Sequence, residues 1–335
     1  MKLLHRFGRF AGTFLATSLL ASTSTADTPF PSTYQAPSHT PTLITNATVL
    51  TGTGQKLESA SLYFVDGRIV SVGEQPTTLS DDTRVIDVDG AWVTPGIIDV
   101  HSHLGVYPSP GVDAHSDGNE ATAPVTAEVW SEHSVWPQDP GFGRALAGGI
   151  TAMQILPGSA NLFGGRGVTL KNVASVTYQG MKFPGAPYGL KMACGENPKR
   201  VYGRKGSGPS TRMGNIAGYR AAWIKATDYR DEHAKYAALS DEEKIEAKKP
   251  KRDLELETLA GVLDGDIIIH MHCYRADEMM TILDLAKEFN YTVGTFHHGV
   301  EAYKISSELA ENGVCGALWA DWWGFKMEAY DGIQE

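Results

Sequence analysis

The histidines are grouped more tightly than chance allows. Eleven of them scattered over 335 residues would give roughly 0.4 His-x-His pairs. Two such pairs occur, His101-Ser102-His103 and His270-Met271-His272, together with the doublet His297-His298. Residues i and i+2 of a β-strand face the same side about 6–7 Å apart at the backbone, so the two imidazoles of a pair can reach one metal ion. Asp99 lies on the face of His101 and His103 and is placed to orient a ligand. In the second pair His272 is nearer the end of its strand and is the better ligand candidate. Adjacent residues of a strand face opposite sides, so only one member of the doublet is expected to point inward. His298, followed by Gly299 where the strand opens into its loop, is preferred to His297. His115 and His133 fall in the loop after the first cluster and read as surface or packing residues.

The clusters need strands to carry them. After Pro95 the pattern alternates between β runs and helices, the texture of parallel βα units. Gly96 to His101 reads as a buried strand, Pro140 to Ala147 as a helix, and Ile150 to Leu156 and Tyr188 to Ala193 as strands. Ile267 to His272 is a strand and Ala276 to Asn290 a helix with Met279, Ile282, Leu283 and Ala286 on one face. Thr292 to Phe296 and Val314 to Leu318 complete the β runs, with a helix at Tyr303 to Glu311 between them and Gly313 at its C-cap. All three clusters then sit at C-terminal strand ends, where barrel enzymes assemble their chemistry. About residues 200–263 do not alternate and read as an insertion over one barrel loop. Before the barrel, residues 43–90 carry short β runs at Thr45 to Leu50, Ser61 to Val65, Arg68 to Val72 and Arg84 to Val88, with a hairpin signal at Asp66-Gly67.

Residues 27–42 are rich in Pro, Ser and Thr and read as a flexible arm. Residues 1–26 combine Lys2, Arg6 and Arg9, an apolar run from Phe10 to Ala21 and small residues at Ser24-Thr25-Ala26. That is the pattern of a secretory signal peptide, and its apolar run is too short to span a bilayer. An exported protein, periplasmic or extracellular, is expected, with no membrane association after cleavage. The net charge of −10 and the absence of a basic stripe exclude a nucleic-acid partner. Cys194, Cys273 and Cys315 form no disulfide framework by spacing and are expected as buried thiols, with Cys273 facing away from the side of its strand that carries His272.

The segment Thr94-Pro95-Gly96-Ile97-Ile98-Asp99-Val100-His101-Ser102-His103-Leu104-Gly105 resembles the first-strand signature of the amidohydrolase superfamily. Val65-Asp66-Gly67-Arg68-Ile69-Val70-Ser71-Val72-Gly73 resembles its small N-terminal sandwich, and Gly148-Gly149-Ile150-Thr151 its second strand. His272 resembles the fifth-strand position, and His298-Gly299-Val300-Glu301-Ala302 the sixth. The nearest branch is the imidazolonepropionase-like one, which includes prolidase-like dipeptidases. The resemblance runs from about residue 43 to the end of the chain.

It implies a TIM-like (β/α)8 metal-dependent hydrolase barrel over residues 91–335, with a small β-sandwich module before it. It implies one or two divalent ions, zinc foremost, with His101 and His103 on the first and His272 and His298 on the second. Lys191 stands where many members carry a carboxylated, bridging lysine, and Glu196 is the alternative ligand. Tyr274, Arg275 and Arg212 are candidate contacts for a small-molecule substrate cleaved at a C–N bond in an amide, dipeptide or cyclic amide. The family's aspartate at the end of the eighth strand has no match before Glu335, and Asp321 comes too early. On that reading the last strand is missing, and this polypeptide alone is expected to be inactive, the alternative being a metal-binding fragment or scaffold. A homo-oligomer is compatible with everything in the sequence.

Overall fold

The computed structural model describes residues 29–319 and 328–329. The signal-peptide segment therefore lies outside the described residues. The chain divides into two compact units, residues 1–31 and 32–335. Of the first, only Pro29, Phe30 and Pro31 are described, as a bend entering an irregular stretch. No helix among the described residues is long and apolar enough to cross a membrane.

The second unit opens with five strands: β1 (Thr42–Leu50), β2 (Lys56–Val65), β3 (Arg68–Gly73), β4 (Arg84–Asp87) and β5 (Trp92–Val93). They form one sheet in the order β3-β2-β1-β4, with β5 paired to β1. The β2–β3 hairpin turns at Asp66 and Gly67, with φ of 48° and 72°. A two-residue loop with both residues left-handed matches the twist of the flanking strands, which is why Asp-Gly is favoured there. Ala47, Val49 and Ala60 form a small core under Ile44, Leu57, Val88 and Val93. Within the arm, the Ser32 hydroxyl donates to the Lys182 carbonyl at 2.6 Å and the Thr33 N–H to that of Gln179 at 3.0 Å.

The remaining strands are β6 (Ile97–Ser102), β7 (Ile150–Ile155), β8 (Phe163–Lys171), β9 (Tyr188–Ala193), β10 (Ile267–His272), β11 (Val293–His297) and β12 (Cys315–Ala317). They form a seven-stranded, nearly closed sheet in the order β12-β11-β10-β9-β8-β7-β6. Among the described residues eight α-helices accompany these strands: α1 (Pro140–Ala147), α2 (Tyr178–Met181), α3 (Glu196–Gly203), α4 (Arg212–Ala237), α5 (Asp241–Glu246), α6 (Leu254–Leu263), α7 (Ala276–Phe289) and α8 (Ser306–Glu311).

The purely parallel order expected from the sequence is corrected by β8, which runs antiparallel to both β7 and β9. The seven residues between β7 and β8 leave no room for the crossover helix that a parallel pair requires. No strand is read there from the sequence, where Gly164, Gly165 and Gly167 interrupt the apolar pattern of β8. Gly165 is needed for close approach: its φ is 109°, a Cβ there would collide with the Val129 carbonyl, and the Arg166 N–H donates to that carbonyl at 2.8 Å. A second correction concerns β6, which is not buried. It lies at the edge of the sheet, and Ile97, Ile98 and Val100 are each more than half exposed.

The main core lies between β9–β11 and the helices. Leu190, Met192, Ile269 and Met271 pack with Tyr219 and Trp223 of α4, Leu259 and Val262 of α6, and Ile282 and Leu283 of α7. The stretch read as an insertion thus supplies much of the wall that covers β9 and β10. The cysteines also depart from expectation. Cys194 and Cys273 are joined in a disulfide, with Cα atoms 5.2 Å apart, and Cys315 is free and exposed. The physical reason is register: Ala193 faces His272 across β9 and β10, so the next residues of the two strands meet.

Candidate functional site

Four barrel strands aim polar side chains into one region. His101 and His103 come from β6 and the turn after it, Lys191 from β9, His270 and His272 from β10, and His297 and His298 from β11 and its end. His103 Nδ1–H donates to the Leu156 carbonyl at 2.8 Å. A carbonyl only accepts, so this contact leaves the lone pair of His103 on Nε2. That Nε2 lies 3.2 Å from His101 Nε2. The chain of rings continues through His101 Nδ1 to His297 Nδ1 at 2.9 Å, and through His297 Nε2 to His270 Nδ1 at 2.9 Å.

The residues favoured from sequence, His101, His103, His272 and His298, are brought together as well. The His298 ring centre is 4.6 Å from that of His101 and 4.9 Å from that of His272. The strand-parity argument for the doublet fails, because His297 and His298 both approach His101. His298 has φ 58°, a left-handed conformation that ends the alternation of the strand and turns its ring back to the same side. Asp99 does not touch a histidine ring; its Oδ1 accepts the backbone N–H of His101 at 3.1 Å.

Lys191 is completely buried among apolar neighbours in β9, and its Nζ donates to the Pro157 carbonyl at 3.2 Å. Burial lowers its pKa to about 7. His103 and His270 are each lowered to about 4 and His297 to about 2, in every case chiefly by burial. His101 is pushed further below the ordinary range, again by burial first and then by Lys191. These imidazoles are therefore neutral at physiological pH, the state in which nitrogen can ligate a metal.

The fit to a metal ion can be tested on the first pair. Two nitrogens bound to one tetrahedral zinc ion at about 2.0–2.1 Å lie about 3.3 Å apart, and the two Nε2 atoms are 3.2 Å apart. The donor chemistry and the spacing of this pair suit an ion. Among the described residues no group of three or more His, Cys, Asp or Glu side chains is arranged to hold one.

The remaining candidates stand around this centre. Tyr274 is buried, its ring 4.4 Å from that of His272. Asn197, not singled out in the sequence, contacts His272 Nε2 through its Nδ2 at 3.3 Å. No motif marks it; its signal is only its place one residue after Glu196. Glu196 begins α3 and gives its N–H to Glu328 Oε2 at 2.8 Å. Arg212 pairs with Glu278 at 3.0 Å and with Glu328. Arg275 is held in a two-point pair with Asp277 at 2.9 and 2.8 Å. His115 lies against Trp136, and His133 stacks on Trp130. Pro157, whose carbonyl accepts from Lys191, also lies in the wall of a cavity of about 460 Å³ with Gly164, Asp117, Glu120, Glu128 and Trp130, and none of the clustered histidines lines it.

No family model matches the chain. The amidohydrolase tasK of Hapsidospora irregularis is 32% identical over 331 residues, 87% of this chain and 33% of that protein. The 5-methylthioadenosine/S-adenosylhomocysteine deaminase of Halalkalibacterium halodurans is 35% identical over 101 residues, 29% of this chain and 21% of that protein. The chain thus spans about a third or less of the length of these curated relatives. The crystal structure of an amidohydrolase from Thermotoga maritima matches with a TM-score of 0.78 and 37% identity, over 87% of this chain and 73% of that one. Agreement of fold and sequence over most of both chains, around a rim of paired histidines, makes this chain a member of the amidohydrolase superfamily.

Proposed function

We propose that the chain carries the site of a metal-dependent hydrolase that cleaves a C–N bond in an amide, a dipeptide or a cyclic amide. One observation carries this reading: the facing Nε2 atoms of His101 and His103, 3.2 Å apart, beside a fully buried Lys191. His101 and His103 would hold one divalent ion and His272 and His298 a second, with Lys191 shared between them. A bound ion of this kind supplies Lewis acidity and hydroxide at neutral pH. Imidazole and carboxylate donors suit zinc, and manganese, iron or cobalt are compatible with them.

The chain's own residues prepare that chemistry. The Leu156 carbonyl fixes the tautomer of His103. Burial lowers Lys191 to about 7, so that about half of it is unprotonated near neutrality, and an unprotonated amine is the form that adds carbon dioxide. In that step the Nζ–C bond would form, one proton would leave, and the product carboxylate would make Lys191 a metal ligand. The cavity beside Pro157 is the space for a small substrate. The Cys194–Cys273 disulfide and the N-terminal signal pattern together support export to an oxidising compartment.

The test is reconstitution of the purified protein with zinc or manganese in the presence and absence of bicarbonate, with metal content and turnover of dipeptides and cyclic amides measured. The reading expects bound metal and bicarbonate-dependent hydrolysis. Stoichiometric metal that survives removal of both His101 and His103 would overturn it.

A further inference from the structure

We propose that the Cys194–Cys273 disulfide is a redox-sensitive clamp that positions the site, opened by a small dithiol and closed again by exchange with a small disulfide, which takes up the two electrons and two protons. The disulfide sits where two paired strands of the sheet end. Ala193 and His272 are the last register partners of β9 and β10, and each cysteine is the next residue of its strand. Beyond them the chains part. Gly195, at φ 72°, turns one toward α3, while Tyr274 and Arg275 lead the other into α7. The disulfide is thus the covalent link at the point of divergence. Cys194 lies three residues after Lys191, and Cys273 lies between His272 and Tyr274. Backbone bonds tie it further into the site: the Cys194 N–H donates to the His272 carbonyl at 2.9 Å and the Cys273 N–H to the His297 carbonyl at 3.2 Å.

The second observation is access. A cavity of about 260 Å³ between α4 and α7 has Cys194 in its wall, together with Arg212, Asn215, Tyr219, Glu278 and Ile282. Asn215 Nδ2 holds the Gly195 carbonyl at 3.1 Å, and its Oδ1 has no hydrogen-bond partner there. Cys194 therefore faces a space that can admit a small molecule, whereas Cys273 is sealed in the core. The chemistry follows from that asymmetry. One thiolate of the dithiol attacks Cys194 Sγ, the S–S bond breaks, and Cys273 leaves with the electron pair and takes a proton. The second thiol then displaces Cys194 from the mixed disulfide. The dithiol is oxidised by two electrons, and the protein gains two thiols. Unbonded sulfurs must withdraw to van der Waals contact, and a close-packed core transmits that displacement to the strand ends.

The consequence for metal binding rests on the proposed function; the loosening of the strand ends does not. The full chain carrying Cys315→Ser is compared oxidised, and after reduction with dithiothreitol and anaerobic desalting. Thiol titration, amide hydrogen exchange and zinc affinity are read on the same samples. Reduction should release two thiols per chain and speed exchange over residues 189–194 and 267–274 by about 10-fold, with the N-terminal sheet unchanged. Zinc affinity should fall by about 10-fold and return on reoxidation. Cys194→Ala/Cys273→Ala should behave as the reduced form, with no response to dithiothreitol. Equal exchange in the two redox states, or no thiols released by dithiothreitol, would overturn the clamp. Absence of zinc binding in both states, with exchange still redox-dependent, would overturn the proposed function and leave the clamp standing.

Discussion

Glu132 and Lys182 make an ion pair outside the cluster of His101, His103, His272 and His298, and its removal has a calculable cost. The Glu132 side chain is wholly buried and that of Lys182 is 7% exposed, with Nζ 2.8 Å from Glu132 Oε2. The Tyr188 hydroxyl donates to the same carboxylate at 3.1 Å and also contacts Lys182 Nζ. In Lys182→Met the carboxylate stays buried without its lysine, with the Tyr188 hydroxyl donating to it and His133 Nε2 3.9 Å away. Breaking a buried pair from one side costs about 3–5 kcal/mol, because an uncompensated charge remains. Replacing both charges, as in Glu132→Leu/Lys182→Met, removes the uncompensated charge and leaves the Tyr188 hydroxyl without its acceptor, a cost of about 1–3 kcal/mol. The double variant should therefore be more stable than Lys182→Met alone, with a coupling of at least about 3 kcal/mol between the sites. Urea unfolding of the wild type, both single variants and the double variant, fitted with a common m-value, measures the cycle. A cost below about 1 kcal/mol for Lys182→Met would refute the reasoning, since that is the behaviour of a solvated surface pair. Glu132 also adjoins Trp130 and Ser131 in the wall of the cavity beside Pro157, so the cycle tests what holds that wall in place.

Further outcomes follow from the packing and the charges. Trp223 is fully buried, with ring contacts to Phe163 at 5.2 Å and Tyr291 at 4.6 Å, and Trp223→Ala should cost about 3–5 kcal/mol in chemical denaturation. Glu328 is pushed up to about 7 by burial and then by Glu278, against the pull of Arg212. Its folded pKa exceeds the ordinary 4.5, so its contribution to stability is full at low pH and is lost as pH rises from about 4.5 to about 7. Glu328→Gln should flatten that part of the stability–pH curve, and an unchanged slope would show that the carboxylate is solvated.

Much of the barrel was legible because its strands and helices keep their periods. Tyr188–Ala193 and Ile267–His272 have the same bounds in sequence and structure, and Met279, Ile282, Leu283 and Ala286 line the buried face of α7. What escaped was non-local or local in an unusual way. The glycines that hide β8 from a propensity reading are there because the Val129 backbone approaches it. The disulfide depends on the register between two strands, and its cysteines are 79 residues apart in sequence. The two inward histidines of the doublet depend on one left-handed residue, His298, which no alternation rule anticipates. The exposure of β6 is set by its edge position, whereas the sequence showed only its apolar residues.

The central claim is that His101 and His103 hold a divalent ion at the rim of the sheet. Anomalous diffraction at the zinc edge, from crystals of the protein loaded with zinc, tests it most directly. The account predicts a peak about 2.0–2.1 Å from Nε2 of both His101 and His103, with the side chain of Lys191 turned toward the same centre. A map in which zinc sits elsewhere, with those two nitrogens still facing each other directly, would contradict it.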